Sequence, residues 1–158
     1  MVKEKLNPEG FTLLEILMVI SLIGVLAAVG VSQYVNFGKE AKTAVTQEKL
    51  VAIKIAIDGD GRMVSSGIPT KPGFAVNCLA LPATLTDLLT QPGSGACASV
   101  YDPYTKQGWR GPYVSNTDPQ WDIDGWGNAI QYNSATRTLK SCGADGSCGD
   151  SDDVELSF

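Results

Sequence analysis

The sequence predicts an α+β protein in which one long N-terminal helix packs on a small antiparallel β-sheet. Three observations support this class. An apolar run covers residues 11–31, a helical pattern of apolar residues continues from it to about Ile57, and three short alternating segments follow near the C terminus. Because an amphipathic helix and a half-polar sheet each bury one apolar face, the two are expected to form a two-layer domain.

The apolar run is long enough to cross a membrane. Between Phe11 and Val31 all but three residues are apolar or small, and the exceptions are Thr12, Glu15 and Ser21. A helix rises about 1.5 Å per residue, so this run matches the roughly 30 Å hydrocarbon core of a bilayer. The first half of the long helix is therefore predicted to be membrane-spanning.

The residues before the run predict its orientation and its processing. Lys3 and Lys5 precede the apolar segment, so the positive-inside rule keeps the N terminus in the cytoplasm and exports the rest. An ordinary signal peptide is cleaved after its apolar segment, whereas the Gly10-Phe11 junction lies before this one. Cleavage at that junction would leave the helix on the mature chain.

This N-terminal pattern resembles the leader of type IV pilins and pseudopilins. Gly10, Phe11 and Glu15 stand at the spacing of that superfamily, and a long apolar helix follows them. The resemblance implies that a prepilin peptidase removes residues 1–10, that Phe11 becomes N-methylated, and that the helices assemble into a filament. The chain departs from the family at Ser32, where a proline is usual.

Glu15 is a functional candidate because it lies inside the apolar run. An unpaired carboxylate there costs on the order of a few kcal/mol. Cleavage creates a cationic amine at Phe11, which the Glu15 carboxylate of a neighbouring subunit can neutralise at low dielectric, setting the axial register. The alternative is an uncleaved anchor whose Glu15 side chain reaches water at the membrane interface.

Composition argues against an enzyme and against nucleic-acid binding. The chain has 158 residues, no histidine, and 17 acidic against 12 basic residues. The lack of histidine excludes Ser-His-Asp and Cys-His catalysis and a His-ligated zinc. An acidic chain is a poor partner for phosphate backbones. We therefore expect no catalytic residues, and one exported domain over residues 35–158 behind a transmembrane and assembly helix over residues 11–34.

Four cysteines lie beyond the apolar run, on the side predicted to be oxidising, which favours disulfides. The sequence alone leaves three pairings open. We favour Cys142 with Cys148, which closes a short Gly-rich loop, and Cys78 with Cys97, which closes a variable segment. A zinc site of all four cysteines is the alternative, but the chain lacks paired Cys-x-x-Cys spacing.

The helix is expected to continue past the membrane run. Its apolar positions recur at helical spacing and include Leu50, Ile53 and Ile57, which would face the sheet. Residues 58–61 read Asp-Gly-Asp-Gly and supply turn chemistry, so the helix should end near Ile57. A connection rich in Gly and Pro follows, with a short helix predicted near residues 85–89.

The sheet is expected to begin near Tyr113 and to contain three antiparallel strands. Residues 129–132, 137–141 and 154–158 alternate like strands, and turn signals separate them. Their apolar faces would lie on the long helix.

Two motifs in the C-terminal half resemble the major pseudopilins of type II secretion. Residues 109–114 read Trp-Arg-Gly-Pro-Tyr-Val, and residues 124–128 read Asp-Gly-Trp-Gly-Asn. The second motif carries Gly125 where the family has proline. The resemblance therefore covers both the N-terminal helix and the C-terminal third, and it implies a pilin-like fold.

An acidic, glycine-rich loop at residues 141–153 is the candidate metal site. It carries four carboxylates and three glycines. Calcium takes about six to eight oxygen ligands from carboxylates and backbone carbonyls, and this loop supplies both. An EF-hand fits poorly, because Leu156 stands where the bidentate Glu should be. The alternative is a solvated acidic turn whose aspartates bond local amides.

The acidic loop also resembles the calcium loop of the major pseudopilins. That resemblance makes Asp145, Asp152 and Asp153 the side-chain ligands of calcium. It places backbone carbonyl ligands at Leu139 and Ser141. Cys142 and Cys148, which flank Asp145, are a departure from the family, and their disulfide could partly substitute for the metal.

Together these features indicate a structural subunit of a type II secretion pseudopilus. The expected partners are other copies in a helical filament, the prepilin peptidase, an inner-membrane assembly platform and minor pseudopilins. The chain would begin as a single-pass protein of the bacterial inner membrane with a periplasmic domain, and would then enter a periplasmic or extracellular filament. The alternatives are a type IV pilin or minor pilin for adhesion, motility or DNA uptake, and a membrane-anchored calcium-binding module that never polymerises.

Overall fold

A computed structural model of the chain describes residues 10–62, 64–65, 68–95 and 97–158. The predicted leader, except Gly10, lies outside these residues. The elements are α1 (Leu13–Asp58), β1 (Val64–Ser65), β2 (Ile68–Pro69), α2 (Phe74–Cys78), a 3-10 helix (Leu85–Leu88), β3 (Gln131–Asn133), β4 (Thr138–Ser141) and β5 (Val154–Ser157). Strands β1 and β2 form a hairpin, and the main sheet has the antiparallel order β3-β4-β5. The predicted α+β class is confirmed.

Helix α1 ends at Asp58, one residue beyond the predicted Ile57. In sequence, the chain divides between Glu40 and Ala41 into two compact units. In the first unit the large apolar side chains whose burial the structure describes are exposed, with Leu14 at 69%. Over the described part of the chain, none of the helices qualifies as a membrane span. The predicted span therefore stays a prediction.

The core of the second unit forms where α1 meets the sheet. Leu50, Ile53 and Ile57 of α1 are at most 1% exposed, as their spacing predicts. They pack in one cluster with Ile130, before β3, and Leu139, at the centre of β4. Burying one such side chain stabilises the fold by about 1.5–3 kcal/mol. The pattern read from the sequence therefore identified the buried face of the helix.

Strand β4 is the middle strand and shows the period of a half-buried strand. Leu139 and Ser141 are fully buried, whereas Thr138 and Lys140 are half-buried. Successive side chains of a strand point to opposite faces of the sheet. Lys140 therefore lies on the face opposite Leu139, and this places a charged side chain beside the segment that leads into β5.

The prediction that the sheet begins near Tyr113 is wrong, because its first strand is β3. The Tyr113 backbone N–H donates to the Leu88 carbonyl at 2.8 Å instead of pairing with a strand. Its ring makes edge contacts with Phe74, at 5.7 Å between centroids, and with Trp109, at 6.2 Å. The aromatic residue therefore packs the connecting region against the core.

The short helix predicted near residues 85–89 is the 3-10 helix Leu85–Leu88. Thr84 caps this helix through a capping box. Its side chain accepts the Asp87 backbone N–H, and the Asp87 carboxylate accepts the Thr84 N–H at 3.0 Å. Helix α2 and the β1–β2 hairpin were not predicted.

Candidate metal-binding loop and N-terminal motif

Both disulfides join the pairs that the sequence analysis favours. Cys78 is bonded to Cys97, with 5.0 Å between their Cα atoms. Cys142 is bonded to Cys148, with 4.4 Å between theirs. No cysteine of the chain is free, so no thiolate remains to hold zinc. The second bridge closes the acidic loop over its first half.

Three carboxylates of the acidic loop converge. Asp145, Asp150 and Asp152 each offer an oxygen, and these oxygens lie within 4.8 Å of one another. A hydrogen bond between the Asp150 and Asp152 side chains raises the pKa of Asp150 and lowers the pKa of Asp152. Sharing a proton is one way for neighbouring carboxylates to limit their repulsion, and binding a divalent cation is another.

Local hydrogen bonds shape the loop around these carboxylates. The Asp152 carboxylate accepts the Ala144 N–H at 2.6 Å, and the Asp145 carboxylate accepts the Ser147 N–H at 2.7 Å. Gly143 has a φ of +65°, and a Cβ at this position would collide with the Asp152 side chain. A glycine is needed there because the backbone approaches the carboxylate closely in a left-handed conformation.

Asp153, a ligand by resemblance, is not part of this cluster. Its Oδ2 lies 2.6 Å from Nζ of Lys140 and accepts the Gly149 N–H at 2.7 Å. The hydrogen bond from Lys140 lowers the pKa of Asp153. The other oxygen, Oδ1, is buried and has no hydrogen-bond partner among the described residues. The structure thus brings together Asp145 and Asp152 of the predicted set and adds Asp150.

A buried carboxylate connects the acidic loop to the turn before β3. Asp124 is 5% exposed. Its Oδ1 accepts the N–H groups of Trp126 and Asn128, and its Oδ2 accepts the Ser141 hydroxyl at 2.5 Å. The Asn128 amide donates to the Gly143 carbonyl at 2.8 Å. The Asp-Gly-Trp-Gly-Asn motif therefore fixes the start of the acidic loop.

The predicted backbone ligands lie at the entrance to the loop. Leu139 is buried at the centre of β4, and Ser141 is the last residue of that strand. That their carbonyl oxygens bind a metal stays a prediction.

Sequence reasoning did not single out Asp150, Lys140 or Asp124 as site residues. The sequence did contain a signal for Asp150. A Cys142–Cys148 bridge brings the chain back to the start of the loop, and Asp150 follows shortly after Cys148. Lys140 could have been found from the alternation along β4, because alternation puts its side chain on the face opposite the buried Leu139. Asp124 was identified only as the first residue of the motif at residues 124–128, and its role at the acidic loop was not predicted.

The residues present fit a hard divalent cation. Three convergent carboxylates are the donor type that such ions prefer, and the local backbone already curls around them. The acidic groups of this loop could therefore hold a metal ion.

At the N terminus, the helix starts immediately after Thr12. The Thr12 hydroxyl and carbonyl both accept the Glu15 N–H, at 3.2 and 3.1 Å. This is one half of the Thr-x-x-Glu capping pattern. Phe11 is 79% exposed, and Glu15 lies in the first turn, where the helix dipole favours a carboxylate.

Comparisons with known proteins match both of these regions. Residues 6–31 match the family described as the prokaryotic N-terminal methylation motif, and residues 78–157 match the family described as type II secretion system (T2SS), protein G. A relative called type II secretion system core protein G from Pseudomonas aeruginosa is 28% identical over 155 residues, which cover 94% of this chain and 92% of the relative.

A second relative has the same printed name. It comes from Xanthomonas campestris pv. campestris and is 27% identical over 123 residues, covering 78% of this chain and 66% of the relative. No solved structure matches the chain.

An N-terminal methylation motif followed by a long helix and a small α+β unit defines the pilin-like class of exported proteins. Within that class, the chain belongs to the protein G family of type II secretion systems. The resemblance to the major pseudopilins that the sequence analysis described is thereby confirmed.

Proposed function

We propose that the chain is a structural, non-catalytic subunit of a type II secretion pseudopilus that assembles through the first part of α1. The observation that carries this proposal is the presence of two family matches in one chain. The methylation motif covers residues 6–31, and the protein G match covers residues 78–157. The type IV pilin and the non-polymerising module are not favoured, because both curated relatives carry the name of the secretion protein.

The exposed apolar surface of the first unit supports assembly. Large apolar side chains on this part of α1 remain 47–84% exposed from Leu13 to Leu26. Such a surface needs either lipid or other subunits around it. We propose that residues 11–31 lie in the inner membrane before assembly and contact neighbouring helices afterwards. The prepilin peptidase, an assembly platform and minor pseudopilins would be the other partners.

The proposed contact between subunits is an ion pair. Cleavage at Gly10 would place a cationic, methylated amine on Phe11, four residues before Glu15. Within one subunit the Glu15 backbone is already bonded to Thr12, while its carboxylate can neutralise the amine of a neighbour. An apolar environment strengthens this attraction and penalises its loss.

Cross-linking tests the assembly directly. Since no native cysteine is free, Leu17→Cys introduces a unique thiol on the exposed helix. In cells, a bifunctional thiol reagent should give cross-linked dimers, because each subunit carries one thiol. The matched control carries Glu15→Leu as well, and it should give mainly monomers. A chain that inserts normally but yields only monomers in both backgrounds would contradict the filament proposal.

We also propose that the metal is calcium, held by Asp145, Asp150 and Asp152. When bound, the ion would supply positive charge that offsets the negative charges of these three side chains. The chain's own residues orient the site: the Ala144 and Ser147 amides position two of the carboxylates, and the Cys142–Cys148 bridge limits the spread of the loop.

A further inference from the structure

A cleft of about 450 Å³ opens beside the second half of α1. Its apolar lining includes Ala52 and Ile55 of α1, with Pro72 and Pro112 from the connecting region. Ile55 is 37% exposed, whereas Ile53, which packs in the core, is 1% exposed. The cleft therefore contains a part of α1 that the chain's own sheet leaves uncovered.

Two cations line this cleft, and local contacts position both of them. The Lys71 carbonyl accepts the Asp60 N–H at 3.1 Å, which joins that residue to the end of α1. The Arg110 N–H donates to the Tyr113 hydroxyl at 3.1 Å. The guanidinium of Arg110 lies 4.9 Å from the centre of the Tyr101 ring, a cation–π contact. The two charges are therefore placed beside an apolar surface before any partner binds.

Neither cation has an acidic partner among the described residues. No acidic residue lines the cleft, and the ion pairs of this part of the chain are Arg137 with Asp58 and Lys140 with Asp153. The chain has 17 acidic against 12 basic residues, so a second copy presents an excess of carboxylates. An apolar cleft with two unpaired cations therefore fits an acidic segment of another copy.

The acidic residue of α1 that best matches the cleft is Glu48. The helix carries four acidic residues, Glu15, Glu40, Glu48 and Asp58. Asp58 is paired within the chain, and Glu15 and Glu40 lie in the first unit. Glu48 is exposed and precedes Ala52 and Ile55 by four and seven residues, so the three share one face of α1. Glu48 therefore lies about 10 Å along the helix from the cleft of its own chain.

We propose that the cleft binds α1 of a neighbouring copy, with Glu48 of that copy paired to Lys71 and Arg110. This inference rests on the proposed assembly into a filament. The cleft and Glu48 are different parts of the surface, so each copy can bind one neighbour with each part, and repetition of such a contact builds an open helical filament. The apolar lining excludes water around the ion pair, which strengthens the attraction between the charges.

Thiol cross-linking between two co-expressed copies with different tags tests the contact. One copy carries Ala52→Cys in the cleft, and the other carries Ala44→Cys, one helical turn before Glu48. Because no native cysteine is free, a short bifunctional thiol reagent joins only these positions. Mixed dimers should form in cells. With Gln47→Cys in place of Ala44→Cys, on another side of α1, they should be several-fold fewer.

Exchange of the charges tests the ion pair. Arg110→Glu in the copy with the cleft thiol should lower the yield of mixed dimers several-fold. Lys71→Glu should do the same, and it provides a second variant if Arg110 is needed for folding. Glu48→Lys in the other copy should restore the yield, since the two changes act on one contact. Lys106→Glu, at an exposed residue outside the cleft, should leave the yield unchanged.

The cross-link at Leu17→Cys separates this inference from the filament proposal. If Leu17→Cys gives dimers but both cleft variants leave the mixed dimers unchanged, the cleft contact is wrong and the filament proposal is kept. Failure of Glu48→Lys to restore the yield would likewise overturn the pairing. If Leu17→Cys gives only monomers, the filament proposal fails and the cleft contact fails with it.

Discussion

Asp150 and Asp153 differ by three positions but have different surroundings. Asp150 shares a hydrogen bond with Asp152, and Asp153 is paired with Lys140. A resemblance transfers ligands by position, so it assigned the site to Asp153. In the structure an Asp150 oxygen converges with those of Asp145 and Asp152, so we propose Asp150 as a ligand, and the assignment of Asp153 stays a prediction.

Calcium should therefore stabilise the chain through Asp150. At about a hundred times Kd, a ligand that binds only the folded state adds roughly 2.7 kcal/mol, which raises the melting temperature. Asp150→Asn should lose most of this calcium-dependent shift in thermal unfolding. Asp118→Asn, which removes a charge from another loop, should keep it. An equal calcium response in both variants would contradict the assignment.

Tyr132 carries a buried hydroxyl that has no hydrogen-bond partner among the described residues. Burial raises the pKa of Tyr132 above its ordinary value of 10.0, and the nearby Arg137 opposes the rise. Above pH 10 the unfolded chain loses this proton before the folded chain does. The free energy of unfolding should therefore fall as pH rises above about 10.

Tyr132→Phe should remove this pH dependence. At pH 7 it should also raise the free energy of unfolding by about 1 kcal/mol, since an unpaired hydroxyl is no longer buried. Denaturant unfolding at both pH values measures the change, and Tyr104→Phe, at a side chain that is 96% exposed, serves as the control. A clear loss of stability at pH 7 would mean that the hydroxyl has a partner.

At the scale of elements, a hydrogen bond to a buried hydroxyl joins α1 to the turn before β3. Thr46 is fully buried, and its hydroxyl accepts the Gly125 N–H at 3.0 Å while donating to the Lys42 carbonyl at 2.9 Å. A Cβ on Gly125 would collide with the Lys42 backbone. This contact explains the glycine at the position where the family has proline, since proline could neither donate nor fit.

Thr46→Val should cost about 1–3 kcal/mol of unfolding free energy, because the shape is kept but a buried N–H loses its acceptor. Thr46→Ser retains the hydroxyl and should cost less. Thermal or denaturant unfolding of the two variants gives the difference. Equal stabilities would show that the bond between α1 and the turn contributes little.

Much of the fold could be predicted from periodicity, because α1 and the three C-terminal strands each bury one regular face. Leu50, Ile53 and Ile57 were placed correctly on this basis. The connecting region was not predictable in the same way. In the sequence Tyr113 has the pattern of a strand residue, but in the structure its ring packs against Phe74. The Lys140–Asp153 pair escaped notice because it depends on strand register, which sequence alone leaves open.

At the scale of the whole molecule, function depends on two regions that lie apart in the sequence. The N-terminal motif concerns processing and assembly, and the second unit supplies the folded surface. The first could be recognised from a short linear pattern that includes Gly10, Phe11 and Glu15, and the charge pairing between subunits stays a prediction. The second needed three-dimensional contacts.

The mature chain should begin at methylated Phe11. Intact-mass measurement of the assembled form should show the loss of residues 1–10 and the gain of one methyl group. Gly10→Val, which blocks close approach at the cleavage site, should leave the precursor mass. Finding residues 1–10 in the assembled protein would show that this processing is not needed.

The most direct test is secretion by cells in which this gene is deleted. Proteins normally released by the type II system should then accumulate in the periplasm, and the wild-type gene should restore their release. The Glu15→Leu variant should insert into the membrane, because its apolarity increases, yet fail to restore release, because the neighbouring amine loses its partner. Normal secretion by the deletion strain would contradict the proposed role in secretion, and full rescue by Glu15→Leu would contradict the proposed pairing between subunits.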